Sequence, residues 1–175
     1  MITFFTSPIG LGHATRDIAI AEELETDILF ASGEGASILI ARKGFKILDV
    51  YQPKKFSVES GQLQHMFKWL LLYYLYYSKS KTIAKNILEN YPGLIVSDED
   101  FASIVVAKRL GERRVLITDI LETHFTNGIV SIMEKKMNKS MQKIMQTCNF
   151  VIIPEVGDDR DNIRYVGPIV RRASA

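Results

Sequence analysis

The stretch that decides the fold is residues 2–16, ITFFTSPIGLGHATR, an apolar run followed by a glycine-containing loop that ends on His13. The run is typical of a buried strand, and the residues after the loop have helical periodicity. Gly10 and Gly12 let the backbone turn tightly and approach a bound molecule. The free N–H groups at the start of the helix suit an anion there. We predict that this positive helix end lowers the pKa of His13 and so favours the neutral imidazole of a general base.

Other interpretations of this loop depend on what surrounds the glycines. A dinucleotide-binding GxGxxG motif needs a glycine where this chain has Thr15, and an acidic residue after the second strand, close to Glu34. A nicotinamide cofactor therefore stays an alternative. A phosphate-binding P-loop is excluded because no Gly-Lys-Ser/Thr sequence follows the glycines. A structural turn, in which His13 caps the helix or faces solvent, also stays open.

Apolar runs of strand length alternate with helical patterns along the chain. The predicted strands are 2–6, 27–31, 45–50, 94–97, 115–118 and 150–153, and the predicted helices are 14–24, 35–43, 61–90, 100–110 and 129–147. Strands that alternate with helices and are apolar along most of their length predict a parallel sheet covered on both faces. The predicted fold is therefore α/β, a Rossmann-like open parallel sheet of about six strands with helices on both faces.

The strand order predicts where a ligand binds. Such sheets commonly have the order 3-2-1-4-5-6, in which the first and fourth strands are neighbours and ligands bind beyond their carboxyl ends. His13 follows the first strand, and Asp98, Glu99 and Asp100 follow the fourth. We predict that Asp98 accepts a hydrogen bond from His13 and orients its imidazole. Capping of the next helix is the alternative role for Asp98 and the expected one for Asp100.

Composition indicates one globular domain. The 175 residues are 47% hydrophobic and 24% charged, and 22 basic against 20 acidic residues leave a net charge of +2. The basic residues are scattered, so charge gives no case for binding nucleic acid. A lone cysteine, Cys148, cannot form an internal disulfide, and we predict that it is a small buried residue in a reducing cytosol. No secretory leader precedes the first strand, which favours a cytoplasmic protein.

Two groups of residues outside the glycine loop could also bind a ligand or a partner: the polar residues after the fifth strand and an aromatic run. Asp119, Glu122 and His124 follow the fifth strand, but their spacing matches no metal-ligand pattern, so no metal site is expected and they are placed beside the crevice. The aromatic run at 66–77 is too short to span a bilayer, which needs ~20 residues. We expect its residues to be buried in the core or a homodimer contact, or to touch a lipid surface or an apolar acceptor. If the run touches lipid, we expect Phe67, Trp69 and Tyr73 to make a peripheral contact with the inner membrane face.

Four segments resemble the N-terminal domain of the GT-B glycosyltransferases, most closely archaeal uncharacterised members related to the UDP-glycosyltransferases and MurG. They are the loop 10–16, the turn Ser32, Gly33 with Lys43, Gly44, Phe45, the block 94–107 around Asp98, and the closing Tyr165, Val166, Gly167, Pro168, Ile169. The segments occur in the family's order and span nearly the whole chain.

The resemblance implies inverting transfer of a sugar from a nucleotide-sugar donor to the hydroxyl of a small-molecule or lipid-linked acceptor, with no cofactor. It implies that His13 is the base and Asp98 its orienting partner. Arg16 is expected to hold an acceptor carboxylate or phosphate, or to pair with a local carboxylate. The substrate-binding residues that we predict are Gly10, Leu11, Gly12, Arg16 and Asp119.

The resemblance also predicts the domain organisation. Residues 1–155 are expected to form the acceptor-binding domain, and residues 156–175 a linker toward a C-terminal donor-binding domain that these residues do not include. We expect this half to be inactive when isolated. The alternative function is a non-catalytic nucleotide-binding or regulatory α/β module.

Overall fold

The computed structural model describes residues 1–53, 58–59, 62–63, 66–122 and 130–170. The strands are β1 (Ile2–Thr6), β2 (Ile28–Ser32), β3 (Lys46–Asp49), β4 (Val58–Glu59), β5 (Gln62–Leu63), β6 (Leu94–Asp98), β7 (Arg114–Ile117), β8 (Phe150–Ile153) and β9 (Ile163–Tyr165). The helices are α1 (Gly12–Ala21), α2 (Glu34–Arg42), α3 (Met66–Asn90), α4 (Phe101–Leu110) and α5 (Val130–Met145).

One parallel sheet carries the fold. Its seven strands have the order β3-β2-β1-β6-β7-β8-β9. The first six of these are the six predicted strands in the predicted order, so the Rossmann-like α/β fold is confirmed. In this sheet β1 and β6 are neighbours, and Thr6 lies directly opposite Asp98 at their carboxyl ends. The polar residues that follow these two strands therefore meet at one edge of the sheet.

The sheet is covered on both faces because successive side chains of a strand point to opposite sides. Phe4 is fully buried against residues of α1 and α2, and its ring stacks on Phe30 with the centroids 5.0 Å apart. Phe5, also fully buried, packs instead with residues of α3 and α4. Burial of each phenylalanine contributes about 2–3 kcal/mol. This central strand thus ties the two helical layers together and fixes the position of the loop that follows it.

Two regions differ from the predicted elements. Residues 163–165 form the edge strand β9, paired with β8, within the segment predicted as a linker. The short antiparallel pair β4 and β5 precedes α3, which begins at Met66 rather than at residue 61. Three-residue and two-residue strands carry too little periodicity to be recognised in a sequence.

One face of the C-terminal half of helix α3 is buried, where Ala84, Ile87 and Leu88 pack in the core. Earlier in the helix, Tyr74 and Leu75 are 65% and 55% exposed. The side chains of Phe67, Trp69 and Tyr73 lie outside the described part, so the predicted lipid or partner contact stays a prediction. None of the helices in the described residues has the length and apolar character needed to cross a bilayer. The predicted burial of Cys148, by contrast, is confirmed.

Candidate active site

The glycine loop after β1 leads directly into α1. Gly10 has a φ of +83°, a left-handed conformation that glycine adopts without strain, and it turns the chain toward the helix. Leu11 occupies the N-cap position and offers no side-chain cap to the helix. The N–H groups of the first turn, which have no partner within the helix itself, are therefore left for water or a ligand.

His13 and Asp98 meet where the loop after β1 faces the end of β6. The Nδ1 atom of His13 lies 2.9 Å from Oδ1 of Asp98. The Asp98 carboxylate is fully buried, whereas the His13 side chain keeps 22% of its surface exposed. The aspartate is thus on the inside of the site and the imidazole at its surface.

Arg16 binds the same aspartate through two nitrogens. Its Nε donates to Oδ2 of Asp98 at 2.9 Å, and its Nη2 donates to Oδ1 at 2.6 Å. The third guanidinium nitrogen, Nη1, donates to Oδ1 of Asp119 at 2.7 Å. Bidentate guanidinium–carboxylate pairs fix orientation as well as charge. Each of the three guanidinium nitrogens of Arg16 therefore donates one hydrogen bond to a carboxylate of the protein itself.

These partners assign the proton of the neutral His13 ring to Nδ1. An ionised carboxylate only accepts hydrogen bonds, so Nδ1 must donate to Asp98. The Nη2 atom of Arg16 also lies 3.3 Å from Nδ1, but this nitrogen has the much closer Asp98 oxygen as its acceptor. With Nδ1 acting as the donor, Nε2 carries the free lone pair of the imidazole.

The pKa of His13 corrects the prediction made from the helix end. The hydrogen bond to Asp98 raises the pKa of His13 above its usual value, and the negative charge of Asp98 adds to this effect. Burial and the nearby Arg16 guanidinium act in the opposite direction but do not outweigh it. The helix end was expected to lower this pKa, and that expectation is wrong because a buried carboxylate in direct contact has the larger influence.

Asp98 itself is ionised. Its burial favours the neutral acid, but the hydrogen bonds from His13 and Arg16 prevail and hold the pKa of Asp98 below its ordinary value. The pKa of Arg16 is raised although burial opposes this, because Asp98 and Asp119 stabilise the charged guanidinium. The three side chains form a mutually dependent cluster.

Glu99 connects this cluster to the loop after β7. It has a φ of +60°, and its Oε1 accepts hydrogen bonds from the Thr118 hydroxyl at 2.6 Å and from the Asp119 N–H at 2.9 Å. Burial raises the pKa of Glu99, although these two hydrogen bonds oppose the shift. Its role is thus to hold the backbone that presents Asp119 to Arg16.

Asp100 caps the following helix, as predicted. Its Oδ1 accepts a hydrogen bond from the Ala102 N–H at 3.1 Å, and its Oδ2 accepts one from the Tyr51 hydroxyl at 2.9 Å. The backbone of Tyr51 lies so close to Gly33 that a Cβ at Gly33 would be 1.7 Å from the Tyr51 oxygen. The turn after β2 is therefore connected, through Tyr51, to Asp100 in the loop after β6.

A cleft of about 470 Å³ opens in front of His13. Its lining residues are Ile9, Gly12, His13, Arg16, Asp119, Pro154, Glu155, Pro168 and Ile169. Three of the predicted substrate-binding residues, Gly12, Arg16 and Asp119, thus face this cleft. Gly10 and Leu11 belong to the exposed loop beside it. Their roles in binding stay predictions, as do those of His13 and Asp98 in catalysis.

Several residues of the site were not found from the sequence. Pro154 and Glu155 follow β8, and their place in the cleft depends on how far the sheet extends beyond β6. Asp17 could have been found from the sequence. It is a charged residue type on the apolar stripe of α1, between Ala14 and Ala21, and this pattern indicates a buried carboxyl group. Of the group after the fifth strand, His124 lies outside the described residues and Glu122 is not among the residues that line the cleft.

Comparison with known proteins identifies the fold. No protein-family model and no curated protein matches the chain. Among solved structures, MurG of Acinetobacter baumannii superposes with a TM-score of 0.62 at 11% identity, over 98% of this chain and 46% of MurG. A glycosyltransferase of kitacinnamycin gives 0.65 at 10% identity, over 99% and 52%. The calicheamicin glycosyltransferase CalG4 gives 0.59 at 14% identity, over 95% and 52%.

These similarities show a GT-B glycosyltransferase-like fold. The chain spans about half the length of each of these structures. The resemblance stated from the four sequence segments is therefore confirmed at the level of the fold. The archaeal placement is not supported by these matches and stays a prediction.

Proposed function

We propose that this chain is the acceptor-binding half of an inverting glycosyltransferase in which His13 is the general base. The observation that supports this most is the pairing of His13 Nδ1 with the buried Asp98 carboxylate at 2.9 Å, on the wall of a cleft. The pair leaves Nε2 as the only ring nitrogen able to accept a proton. This is the arrangement that general-base catalysis requires.

In the proposed reaction, Nε2 of His13 removes the proton from a hydroxyl of the acceptor. The acceptor oxygen then forms a bond to the anomeric carbon of the donor sugar, while the bond from that carbon to the nucleotide diphosphate breaks. The diphosphate leaves with the electron pair, and the configuration at the carbon inverts. Asp98 stabilises the imidazolium as it forms, because its negative charge lies next to Nδ1.

We assign Arg16 to positioning Asp98 rather than to binding an acceptor anion. Each nitrogen of its guanidinium already donates to Asp98 or Asp119, and the charges of these two carboxylates disfavour an additional anion beside them. The acidic residue Glu155 also lines the cleft. A wall with these acidic groups disfavours anionic acceptors, so we propose a neutral hydroxyl compound bound along Ile9, Gly12 and Ile169.

The donor is proposed to be a nucleotide sugar. One structure with a similar fold, the Streptomyces glycosyltransferase SsfS6, contains thymidine diphosphate and has a TM-score of 0.51 at 11% identity, over 88% of this chain and 49% of SsfS6. By analogy, the nucleotide binds mainly to a second domain that faces the cleft. No cofactor is needed, since the activated donor supplies the leaving group.

The test is the replacement His13→Gln in the longest natural form of the protein, assayed with a panel of nucleotide sugars and hydroxyl acceptors. The glutamine amide still donates to Asp98 but cannot accept a proton at neutral pH. We expect kcat to fall by about 10²–10⁴-fold. The matched control is Asp49→Asn, an exposed carboxylate at the end of β3, which should leave kcat unchanged. Turnover by His13→Gln close to that of the unaltered protein would reject His13 as the base. No transfer by the unaltered protein itself across the panel would favour the non-catalytic module.

We expect the 175-residue chain alone to transfer no sugar. It matches about half of each similar structure, and the donor must be held against the acceptor for reaction. The measurement is release of nucleotide diphosphate and of glycosylated acceptor by the purified chain. Sugar transfer above the uncatalysed rate would contradict this expectation.

A further inference from the structure

Asp17 is a second buried carboxyl group behind the catalytic pair. It follows Arg16 on α1 and lies four residues after His13, so it projects from the same side of the helix as His13. The side chain is fully buried. The hydroxyl of Thr6 donates to its Oδ2 at 2.6 Å. Thr6 is the residue of β1 that lies opposite Asp98 in β6, so Asp17 and Asp98 occupy the same face of the sheet side by side.

The two aspartates differ in their partners. Asp98 receives three hydrogen bonds from the cationic Arg16 and from His13. For Asp17, no arginine, lysine or histidine donates a hydrogen bond to the carboxyl group within the described part of the chain, and its Oδ1 has no partner there. Two carboxyl groups that share a buried site cannot both be ionised cheaply. The charge therefore belongs to Asp98, and the proton belongs to Asp17.

We propose that Asp17 is a positioning residue that stays protonated at neutral pH and donates a hydrogen bond from Oδ1 to the Asp98 carboxylate. The otherwise unpartnered oxygen is the one that carries the proton. Asp98 is then held from behind by a neutral acid while it orients His13 in front. The inference rests on the proposed function only where it treats His13 as a base. The hydrogen bond from Asp17 to Asp98 does not require a substrate.

The electrostatic surroundings of Asp17 agree with this assignment. Burial raises the pKa of Asp17 well above its usual value, and the neighbouring Asp98 charge raises it further. The hydrogen bond from Thr6 and the charge of Arg16 act in the opposite direction. These are the groups that face Asp17 from β1, from β6 and from its own helix, and the balance favours the neutral acid.

The protonated state has a consequence for the base. An ionised Asp17 would add a second negative charge behind Asp98 and would raise the pKa of His13 further. His13 would then be protonated over more of the neutral pH range and could not accept a proton. A neutral donor fixes the orientation of Asp98 without adding that charge.

The first test measures the pKa of His13 by NMR titration of the imidazole in the 175-residue chain, with His13→Gln used to assign the resonances. Asp17→Asn replaces the acid by a neutral amide that can still accept from Thr6 and donate to Asp98. We expect the same His13 pKa in this variant as in the unaltered chain. A lower His13 pKa in Asp17→Asn would show that a negative charge has been removed, and would overturn the proposal.

The second test compares the free energy of unfolding of Asp17→Asn and the unaltered chain as a function of pH. A carboxyl group that is protonated only in the folded state costs stability as the pH rises above its unfolded pKa of about 4. The unaltered chain should therefore lose stability relative to Asp17→Asn from about pH 4 upward, until the folded pKa of Asp17 is reached. A difference that does not change with pH contradicts the proposal. Asp49→Asn, an exposed substitution on β3, is the control and should show no such trend.

If Asp17→Asn does not fold, the carboxyl carbon of Asp17 in the unaltered chain gives the answer. Its ¹³C chemical shift at pH 7 should be that of a protonated acid, whereas the shift of a carboxylate would overturn the proposal. Each of these measurements can succeed when His13→Gln retains full transferase activity. Failure of the inference and failure of the proposed function are therefore distinguishable.

Discussion

Arg16 joins two aspartates whose surroundings are opposite. Asp98 is fully buried, whereas the side chain of Asp119 is 47% exposed. We call Thr6, Asp17 and Asp98 the buried wall of the site, and Gly12, Asp119 and Glu155 its open rim. The same guanidinium–carboxylate chemistry is strong in the wall and weak at the rim, because water screens the exposed pair. The wall fixes the orientation of the His13 imidazole, and the rim is exposed at the cleft.

Loss of the charge in the buried wall should have the largest effect. Asp98→Ala leaves Arg16 without its bidentate partner and His13 without its acceptor in a poorly hydrated site. We expect the free energy of unfolding to fall by about 3–5 kcal/mol. Urea denaturation at neutral pH measures this loss. A loss below about 1 kcal/mol, the value typical of a surface ion pair, would mean that the ion pair in the wall is no stronger than an exposed one.

A smaller effect is expected when the charge of Arg16 is kept but its shape is lost. In Arg16→Lys, a single ammonium cannot reach both oxygens of Asp98 and Oδ1 of Asp119. We expect a loss of about 2 kcal/mol in the free energy of unfolding. Thermal unfolding monitored by circular dichroism provides the measurement. Equal stability of the lysine variant would show that geometry contributes nothing beyond charge.

The contact between wall and imidazole predicts a pH dependence. Asp98 raises the pKa of His13 in the folded state, so this interaction stabilises the chain fully below the unfolded pKa of about 6.5. The stabilisation is lost as the pH rises through the raised folded pKa. The advantage in stability of the unaltered chain over His13→Gln should therefore decrease across this range. If this advantage grew with pH, the pKa of His13 would be lowered in the folded state, contrary to this prediction.

At the open rim, Asp119→Ala should cost less than about 1 kcal/mol of stability, because solvent screens its ion pair with Arg16. Chemical denaturation of this variant beside Asp98→Ala makes the comparison direct. If the two variants were equally destabilised, the distinction between wall and rim would be lost.

The smallest effect on folding is expected at Gly12. An added Cβ meets no atom within 4 Å, and alanine in the first helical turn should change stability by no more than about 0.5 kcal/mol. The methyl group enters the cleft, however, so Gly12→Ala should weaken acceptor binding while the fold is retained. Calorimetric titration with the acceptor, once identified, checks this, and unchanged affinity would place the acceptor elsewhere.

The sequence predicts Asp98 of the buried wall and both Gly12 and Asp119 of the open rim, but neither Asp17 nor Glu155. The apolar run that ends at Thr6 and the run that ends at Asp98 have the length and composition of buried parallel strands, and the common strand order makes them neighbours. The proximity of His13 to Asp98 follows from that order. What does not follow is Arg16 as the link between two aspartates, because this depends on the path of the loop after β7.

The remaining differences have local causes. The pKa of His13 was predicted from the helix end alone, whereas the direct contact with Asp98 decides its direction. Residues 163–165 were assigned to the linker because the resemblance implies a linker that includes Gly167, Pro168 and Ile169. The backbone of β9 nevertheless completes the sheet beside β8. The cleft residue Pro154 precedes this missed strand and Pro168 follows it, so their place in the site was missed with it.

The position of the proton on the His13 ring tests the central claim most directly. A long-range ¹H–¹⁵N spectrum of the 175-residue chain, recorded above the pKa of His13, distinguishes the protonated ring nitrogen from the bare one. We predict that Nδ1 carries the proton and donates it to Asp98, and that Nε2 is bare. A proton on Nε2 with a bare Nδ1 would contradict the account, because the lone pair of the imidazole would then face Asp98 rather than a substrate hydroxyl.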